Sequence, residues 1–401
     1  MTGLEAADWL VDPATVAVLD ALETAGGAGC VRVVGGAVRN ALMGRPVDDV
    51  DLATTLRPDQ VMAALGAAGL KAVPTGLAHG TVTAVSGGRG FEITTLRRDE
   101  ATDGRRAEVA FTDNWAEDAA RRDFRLNALY ADREGRVFDP TGEGVADALA
   151  GRVVFVGDPA RRIAEDYLRI LRFFRFSAWY GDGAPDAAGL KACTAGRDGL
   201  ARLSAERVSK ELLKLLAAPD PRPVLAAMDE AGVLGAILPE AVVAERFGRL
   251  VEGCDDPLLR LAAMLPDDPV IAAGVAARLR LSNAQRDRLV AATDRAVPVG
   301  PGLVPRALRA ALYRLGRGTV RDRLRLAEAG EGAATDDTWA LVETWPIPRL
   351  PVGGADLARL GVPPGPATGE LLRAFEAGWI ADDFPADGHE ARLRQLIEAA
   401  R

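Results

Sequence analysis

The chain has 401 residues, 48% hydrophobic and 26% charged, with a net charge of −8. At this length two to four domains are expected, and the composition reads as globular throughout. Two histidines and three scattered cysteines exclude a histidine-rich metal centre or a histidine triad, and the acidic balance excludes indiscriminate binding to nucleic acid while leaving room for a local basic surface.

No window holds the roughly 18 apolar residues of a membrane helix. MTGLEAADWLVDP lacks a basic region followed by an apolar stretch. Scattered cysteines read as reduced core thiols. The expected setting is cytoplasmic, with no membrane and no protein partner.

Residues 1–30 read as a leading helix, with Trp9, Leu10, Val16, Leu19 and Leu22 on its apolar face. VRVV (31–34) is a strand signal ending at Gly35-Gly36, and a helix follows from Ala37 to about Met43, stopped by Gly44. Segment 48–54 alternates as a strand, with Val50 and Leu52 on one face and Asp49 and Asp51 on the other. A helix over about 58–68 precedes strand signals at 81–85, 91–96 and 136–140. The polar connection from 97 to 112 reads as a functional loop. From about Gly151 strand signals vanish and amphipathic helices take over. Breaks fall at Pro219–Pro223, near 297–305 and over 346–366.

Two residues apart on a strand, Asp49 and Asp51 project to one side with backbones roughly 6–7 Å apart. That spacing suits joint ligation of Mg²⁺, a hard cation taking oxygen donors and a substrate phosphate. Glu92 joins the pair if its strand lies alongside. The alternative is an exposed polar strand face. Gly35-Gly36 leaves backbone amides open to a phosphate, and Arg39 adds a charged donor. In Glu165-Asp-Tyr-Leu-Arg169-Ile-Leu-Arg172-Phe-Phe-Arg175-Phe, arginines recur every third residue on a helix otherwise apolar and therefore buried. Only Glu165 and Asp166 lie near in sequence, so a bound triphosphate would supply the missing anion; intrahelical pairs with snorkelling arginines are the alternative. Asp166 and Arg169, one turn apart, together offer acceptors and donors for a base edge.

These segments resemble the class II tRNA nucleotidyltransferases, that is, the CCA-adding enzymes and the related bacterial poly(A) polymerases. The first motif corresponds to Gly35-Gly36-Ala-Val-Arg39 with Asp49-Val-Asp51. The second corresponds to Arg121-Arg-Asp-Phe-Arg-Leu-Asn-Ala-Leu129, where the resemblance assigns Arg122 and Asp123 to ribose selection and Asn127 to local geometry. Phe138-Asp-Pro-Thr-Gly-Glu-Gly resembles the hinge, and Leu203-Ser-Ala-Glu-Arg-Val-Ser-Lys-Glu-Leu212 the segment buttressing the template helix. In the helix at 165–176 the resemblance makes Asp166 and Arg169 the amino-acid template for CTP and ATP, and Arg172 and Arg175 triphosphate ligands. Asn40 and Arg125 depart from the usual Asp and Thr, which bears on how Arg39 is held and on the nucleotide pocket.

The resemblance implies an α+β fold. Residues 1–150 form a nucleotidyltransferase head with a small mixed sheet, followed by an all-α neck (151–220), body (221–330) and tail (331–401). It implies addition of C, C and A from CTP and ATP to the tRNA 3′ end, with Mg²⁺ on Asp49 and Asp51 and Glu92 as a further catalytic carboxylate. Residues 275–325, rich in arginine, are the expected tRNA surface. Gly76-Leu-Ala-His-Gly-Thr-Val resembles CCA-adding members, which places a poly(A) polymerase second. A partial enzyme adding only CC or only A shares the same motifs. So does a catalytically silent RNA-binding relative, against which the intact Asp49 and Asp51 argue.

Overall fold

The computed structural model describes residue 4 and residues 7–99 and 109–400. The leading helix is broken by its own sequence. A short turn over Asp8–Val11 stops at Asp12, whose side chain caps α1 (Pro13–Gly26) by accepting from the Ala14 amide at 2.8 Å. α1 buries Val18, Leu19 and Leu22.

Among the described residues nine strands follow in two sheets. They are β1 (Val31–Val34), β2 (Leu52–Thr54), β3 (Lys71–Gly76), β4 (Thr81–Ser86), β5 (Arg89–Thr95), β6 (Arg97–Asp99), β7 (Val109–Phe111), β8 (Tyr130–Ala131) and β9 (Val137–Phe138). The larger sheet runs β3-β4-β5-β2-β1-β8-β9, antiparallel except where β2 lies parallel to β5. β6 and β7 pair as a separate hairpin, so the connection expected over 97–112 is strand at both ends; residues 100–108 of it lie outside the described residues. β3 gave no signal in the sequence because it is an edge strand with most side chains exposed or half-buried and Pro74 within it.

α2 (Gly36–Leu42) and α3 (Pro58–Ala67) fall where expected, and α4 (Trp115–Ala120) is added. Beyond residue 150 every described element is a helix. α5 (Pro159–Glu165), α6 (Leu168–Tyr180) and α7 (Ala205–Leu216) carry the arginine ridge and most of the 203–212 segment. α6 is anchored by aromatic packing: Phe124 lies 4.9 Å from Phe155 and 5.1 Å from Phe176, and Phe155 stacks on Phe173 at 5.5 Å. Each such fully buried ring contributes roughly 1.5–3 kcal/mol.

The chain divides into two compact units, Met1–Pro239 and Glu240–Arg401. In the second, α8 (Pro257–Met264) and α9 (Asn283–Thr293) pack on each other and on α10 (Pro305–Glu331), and α10 and α11 (Asp336–Thr344) supply Leu308, Leu312, Leu324 and Val342 to one core. α10 kinks at Gly316, whose φ of 78° is open to glycine. A further core gathers Leu357, Phe375, Trp379 and Leu393, the last three from α12 (Pro366–Ala381) and α13 (His389–Ala399).

Candidate active site

β1 passes directly into Gly35, whose φ of 68° and ψ of −113° an L side chain rarely adopts. Gly35 N–H donates to Leu129 O at 3.0 Å, and its carbonyl accepts from Arg39 N at 3.0 Å. Asp49 and Asp51 lie in the extended segment before β2 and not on the strand itself, because ladder pairing begins only at Leu52. The alternation survives without it: Val50 and Leu52 are buried while Asp49 and Asp51 are exposed. β2 and β5 run parallel with Leu52 opposite Ile93, which brings Asp51 and Glu92, each one residue earlier, alongside. The Asp51 carboxyl is pushed up to about 6, first by desolvation and then by Glu92 and Asp49, with Arg122 opposing. Asp51 keeps an exposed surface, so the crowding of like charges is the more telling cause.

Gly35, Gly36, Arg39, Asp51, Glu92, Arg122, Asp123, Arg172 and Arg175 all line one cavity of about 400 Å³. Asp49, Asp166 and Arg169 lie outside its lining. The arginines are not short of partners, as the sequence alone implied. Arg172 donates to Asp123 Oδ2 from Nε at 2.8 Å, and Arg175 pairs with the buried Glu211 of α7. Both carboxylates arrive from distant positions. Arg122 pairs with Asp118 at 2.9 Å, and Asp118 also accepts from Tyr130 Oη at 2.8 Å. Burial pushes the Asp118 carboxyl up, but Arg122, Arg121 and the Tyr130 hydroxyl bring it down to about 2.

The segment expected to serve as the template is not a continuous helix. Asp166 has extended backbone (φ −154°, ψ 107°) and separates α5 from α6. Its carboxylate accepts from the Leu168 amide at 3.1 Å and pairs with Arg207 at 2.6 Å. Arg169 turns to Glu165 and to the Arg162 carbonyl at 2.7 Å. The side chains of Asp166 and Arg169 therefore turn to different partners here. α7 does buttress α6, through Glu211 and the Lys214 carbonyl, which accepts from Trp179 Nε1 at 2.7 Å, while Arg207 holds Asp166 just before the helix.

Asn40 holds Arg39 directly, its Oδ1 accepting from Nη2 at 2.8 Å and its Nδ2 donating to Pro46 O at 2.8 Å. Arg125 pairs with Glu143 and lies 3.7 Å from Asp147, so it serves the 139–149 segment and not the cavity. Arg97 and Arg121 also line the cavity and carried no assigned role in the sequence. Arg121 opens the second motif; Arg97 had no local signal. Asp118 and Tyr180, which hold Arg122 and Arg39, were likewise missed. Among residues 275–325 the arginines are largely engaged by carboxylates: Arg278 with Glu240, Arg286 with Asp287, Arg288 with Asp256 and Asp322, Arg309 with Asp383, and Arg321 with Glu343.

The donor set fits Mg²⁺. Asp49, Asp51 and Glu92 supply hard oxygens, and the repulsion registered at Asp51 is what a cation would relieve. Among the described residues no preformed group of three or more His, Cys, Asp or Glu side chains is gathered, so substrate phosphates would complete the shell.

Residues 31–154 match the family model described as poly A polymerase head domain, and residues 186–244 match the probable RNA and SrmB-binding site of polymerase A. The chain is 35% identical over 384 residues to CCA tRNA nucleotidyltransferase 1, mitochondrial, of Mus musculus, covering 90% of this chain and 85% of that protein. It is 41% identical over 204 residues to the CCA-adding enzyme of Geobacillus thermodenitrificans, half of this chain and 48% of that one. The crystal structure of the Bacillus stearothermophilus CCA-adding enzyme in complex with CTP superposes with a TM-score of 0.79 at 26% identity, over 96% of this chain and 98% of that one. The chain belongs to the CCA tRNA nucleotidyltransferase family.

Proposed function

We propose that the chain adds C, C and A from CTP and ATP to the 3′ end of tRNA without a nucleic-acid template. The observation that carries this is the single cavity on which Asp51, Glu92, Arg39, Arg122, Arg172 and Arg175 meet beside Gly35-Gly36. Carboxylates for a cation and four arginines for a polyphosphate are what transfer to an RNA hydroxyl requires, and no nucleophilic side chain is needed.

Asp49 and Asp51 would hold Mg²⁺, with Glu92 as the adjacent third carboxylate. When bound, the metal would lower the pKa of the attacking hydroxyl and neutralise charge on the leaving group. The tRNA 3′-oxygen bonds to the α-phosphorus as its proton departs, and the bond to pyrophosphate breaks. Arg39 binds the triphosphate, and Arg122, Arg172 and Arg175 bind it and offset its growing charge. Asp123 orients Arg172 and, with Arg122, faces the ribose. Asp166 and Arg169 are assigned to the base edge; to reach it they exchange Arg207 and Glu165 for CTP or ATP. We assign residues 1–150 to the head, 151–220 to the neck, 221–330 to the body and 331–401 to the tail. Among the described residues no helix is long and apolar enough to cross a membrane. Cys30, Cys193 and Cys254 are buried free thiols, in keeping with a reducing cytoplasmic setting.

The test gives purified protein three tRNAs, ending before the first C, after CC and after CCA, with CTP and ATP supplied separately and together. Growth that stops after one A is expected. Long A tails would identify a poly(A) polymerase instead, and no extension of any tRNA would sink both.

A further inference from the structure

Of Arg39, Arg122, Arg172 and Arg175, three pair with a carboxylate, and among the described residues Arg39 forms no ion pair. Arg39 is only 6% exposed. Its hydrogen bonds go to Asn127 Oδ1, Asn40 Oδ1 and Tyr180 Oη, all neutral acceptors. Both amides are fixed in orientation: Asn40 donates to Pro46 O, and Asn127 donates to Asp123 Oδ1 at 3.1 Å. The cage satisfies the N–H groups with neutral acceptors, and the nearby acid, Asp123, reaches Arg39 through Asn127 and not by a direct ion pair. Burial above all draws the Arg39 pKa down to about 10, so the group stays cationic at neutral pH.

Tyr180 is the one member of this cage that comes from the neck helix. Its hydroxyl accepts from Arg39 Nη2 at 2.8 Å, and the guanidinium carbon sits 3.8 Å from the centre of its ring. Phe176, one turn earlier on α6, lies 5.4 Å from the same carbon and 5.5 Å from the Tyr180 ring. Arg45 donates to the Trp179 carbonyl beside it, tying the end of α6 to the head. The helix that presents Arg172 and Arg175 thus also fixes Arg39.

Resting on the nucleotide transfer proposed above, we infer that Tyr180 is a positioning residue for CTP and ATP, clamping Arg39 at the cavity with its charge free for the triphosphate. Its ring supplies a face for the cation and its hydroxyl sets the guanidinium plane. An arginine held in this way contributes to ground state and transition state alike, so its effect falls on KM and not on kcat.

The test measures CTP and ATP affinity and steady-state kinetics on the full chain, comparing wild type, Tyr180→Phe, Arg39→Met and the double variant. Tyr180→Phe keeps the ring and removes the acceptor. It is expected to raise KM and Kd for both nucleotides by roughly tenfold, the worth of one hydrogen bond to a charged group, with kcat within about twofold. Added to Arg39→Met, the same change is expected to weaken binding by less than about twofold. Unchanged nucleotide affinity in Tyr180→Phe overturns the role. So does a fall in kcat and melting temperature at constant KM, or an equal weakening in the Arg39→Met background. If wild-type protein binds neither nucleotide, the proposed function falls and takes this role with it. If wild type binds both and Tyr180→Phe binds as well, only the role of Tyr180 falls.

Discussion

Two regions of this chain are rich in arginine, and they use it in opposite ways. Around the head cavity, Arg122, Arg172 and Arg175 pair with Asp118, Asp123 and Glu211, all nearly buried, and Arg39 is held by neutral groups only. Over residues 275–325 most arginines pair with carboxylates at the surface, as Arg321 does with Glu343, or end inside the fold, as Arg323 does on the Ala291 and Val297 carbonyls. Arginine count alone therefore does not locate an anion site. What distinguishes the cavity is enclosure and fixed geometry, with a buried guanidinium held by neutral hydrogen-bond acceptors.

The largest contrast should come from the carboxylates. Asp49→Ala with Asp51→Ala is expected to cut nucleotide addition by about 10³-fold or more, read as single-turnover extension of a CC-ending tRNA by ATP. Both residues are exposed, so the circular dichroism spectrum should not change. Activity within tenfold of wild type would remove them as metal ligands.

Next come the ion pairs. The side chains of Arg175 and Glu211 are 12% and 7% exposed. Glu211→Ala leaves a buried arginine without its acid and should cost about 3–5 kcal/mol in urea unfolding. Glu343→Ala, which strips the exposed partner from Arg321, should leave the unfolding midpoint nearly unmoved. Equal effects would erase the distinction between the two regions.

Asp118 extends the contrast to pH. Its carboxyl is held at about 2 against an ordinary 3.8, and its side chain is 1% exposed. A carboxyl depressed in the folded state stabilises at pH above its unfolded value, and that stability is lost as pH falls from about 4 to 2. The linked free energy is roughly 2 kcal/mol. Wild type should exceed Asp118→Asn in stability at pH 6, and the gap should narrow by about that amount by pH 2. A gap independent of pH would show that Asp118 is not charged and paired.

Much of the head was legible because its signals are local. Gly35-Gly36, Arg39 and the Asp49/Asp51 spacing lie within seventeen residues, and the alternation of Val50 and Leu52 held although the ladder starts only at Leu52. The arginine ridge was legible in residue type but not in shape, since nothing in its period marks the break at Asp166. What stayed hidden depends on tertiary contact. Asp123 is 49 residues from Arg172, Glu211 is 36 from Arg175, and Tyr180 is 141 from Arg39. No window of a sequence brings such groups together, so the ridge looked short of anions when the fold supplies them. β8 pairs over only two residues, too few for a period to register.

The same contrast narrows where RNA could be held in the second unit. On α10, Arg306 and Arg314 are exposed, and among the described residues neither pairs with a carboxylate. Arg321 shares the helix but is engaged by Glu343. Reversing Arg306 and Arg314 to Glu should weaken tRNA binding several-fold and lower the slope of log affinity against log salt by about 1–2, because free cations are the ones that release counterions. Reversing Arg321 alone should change affinity by less than about threefold. Filter binding across a salt series separates the cases. If Arg321→Glu proved the more damaging, the ion pair would have to open on RNA, and this region would then work by the exchange of partners proposed for Asp166 and Arg169.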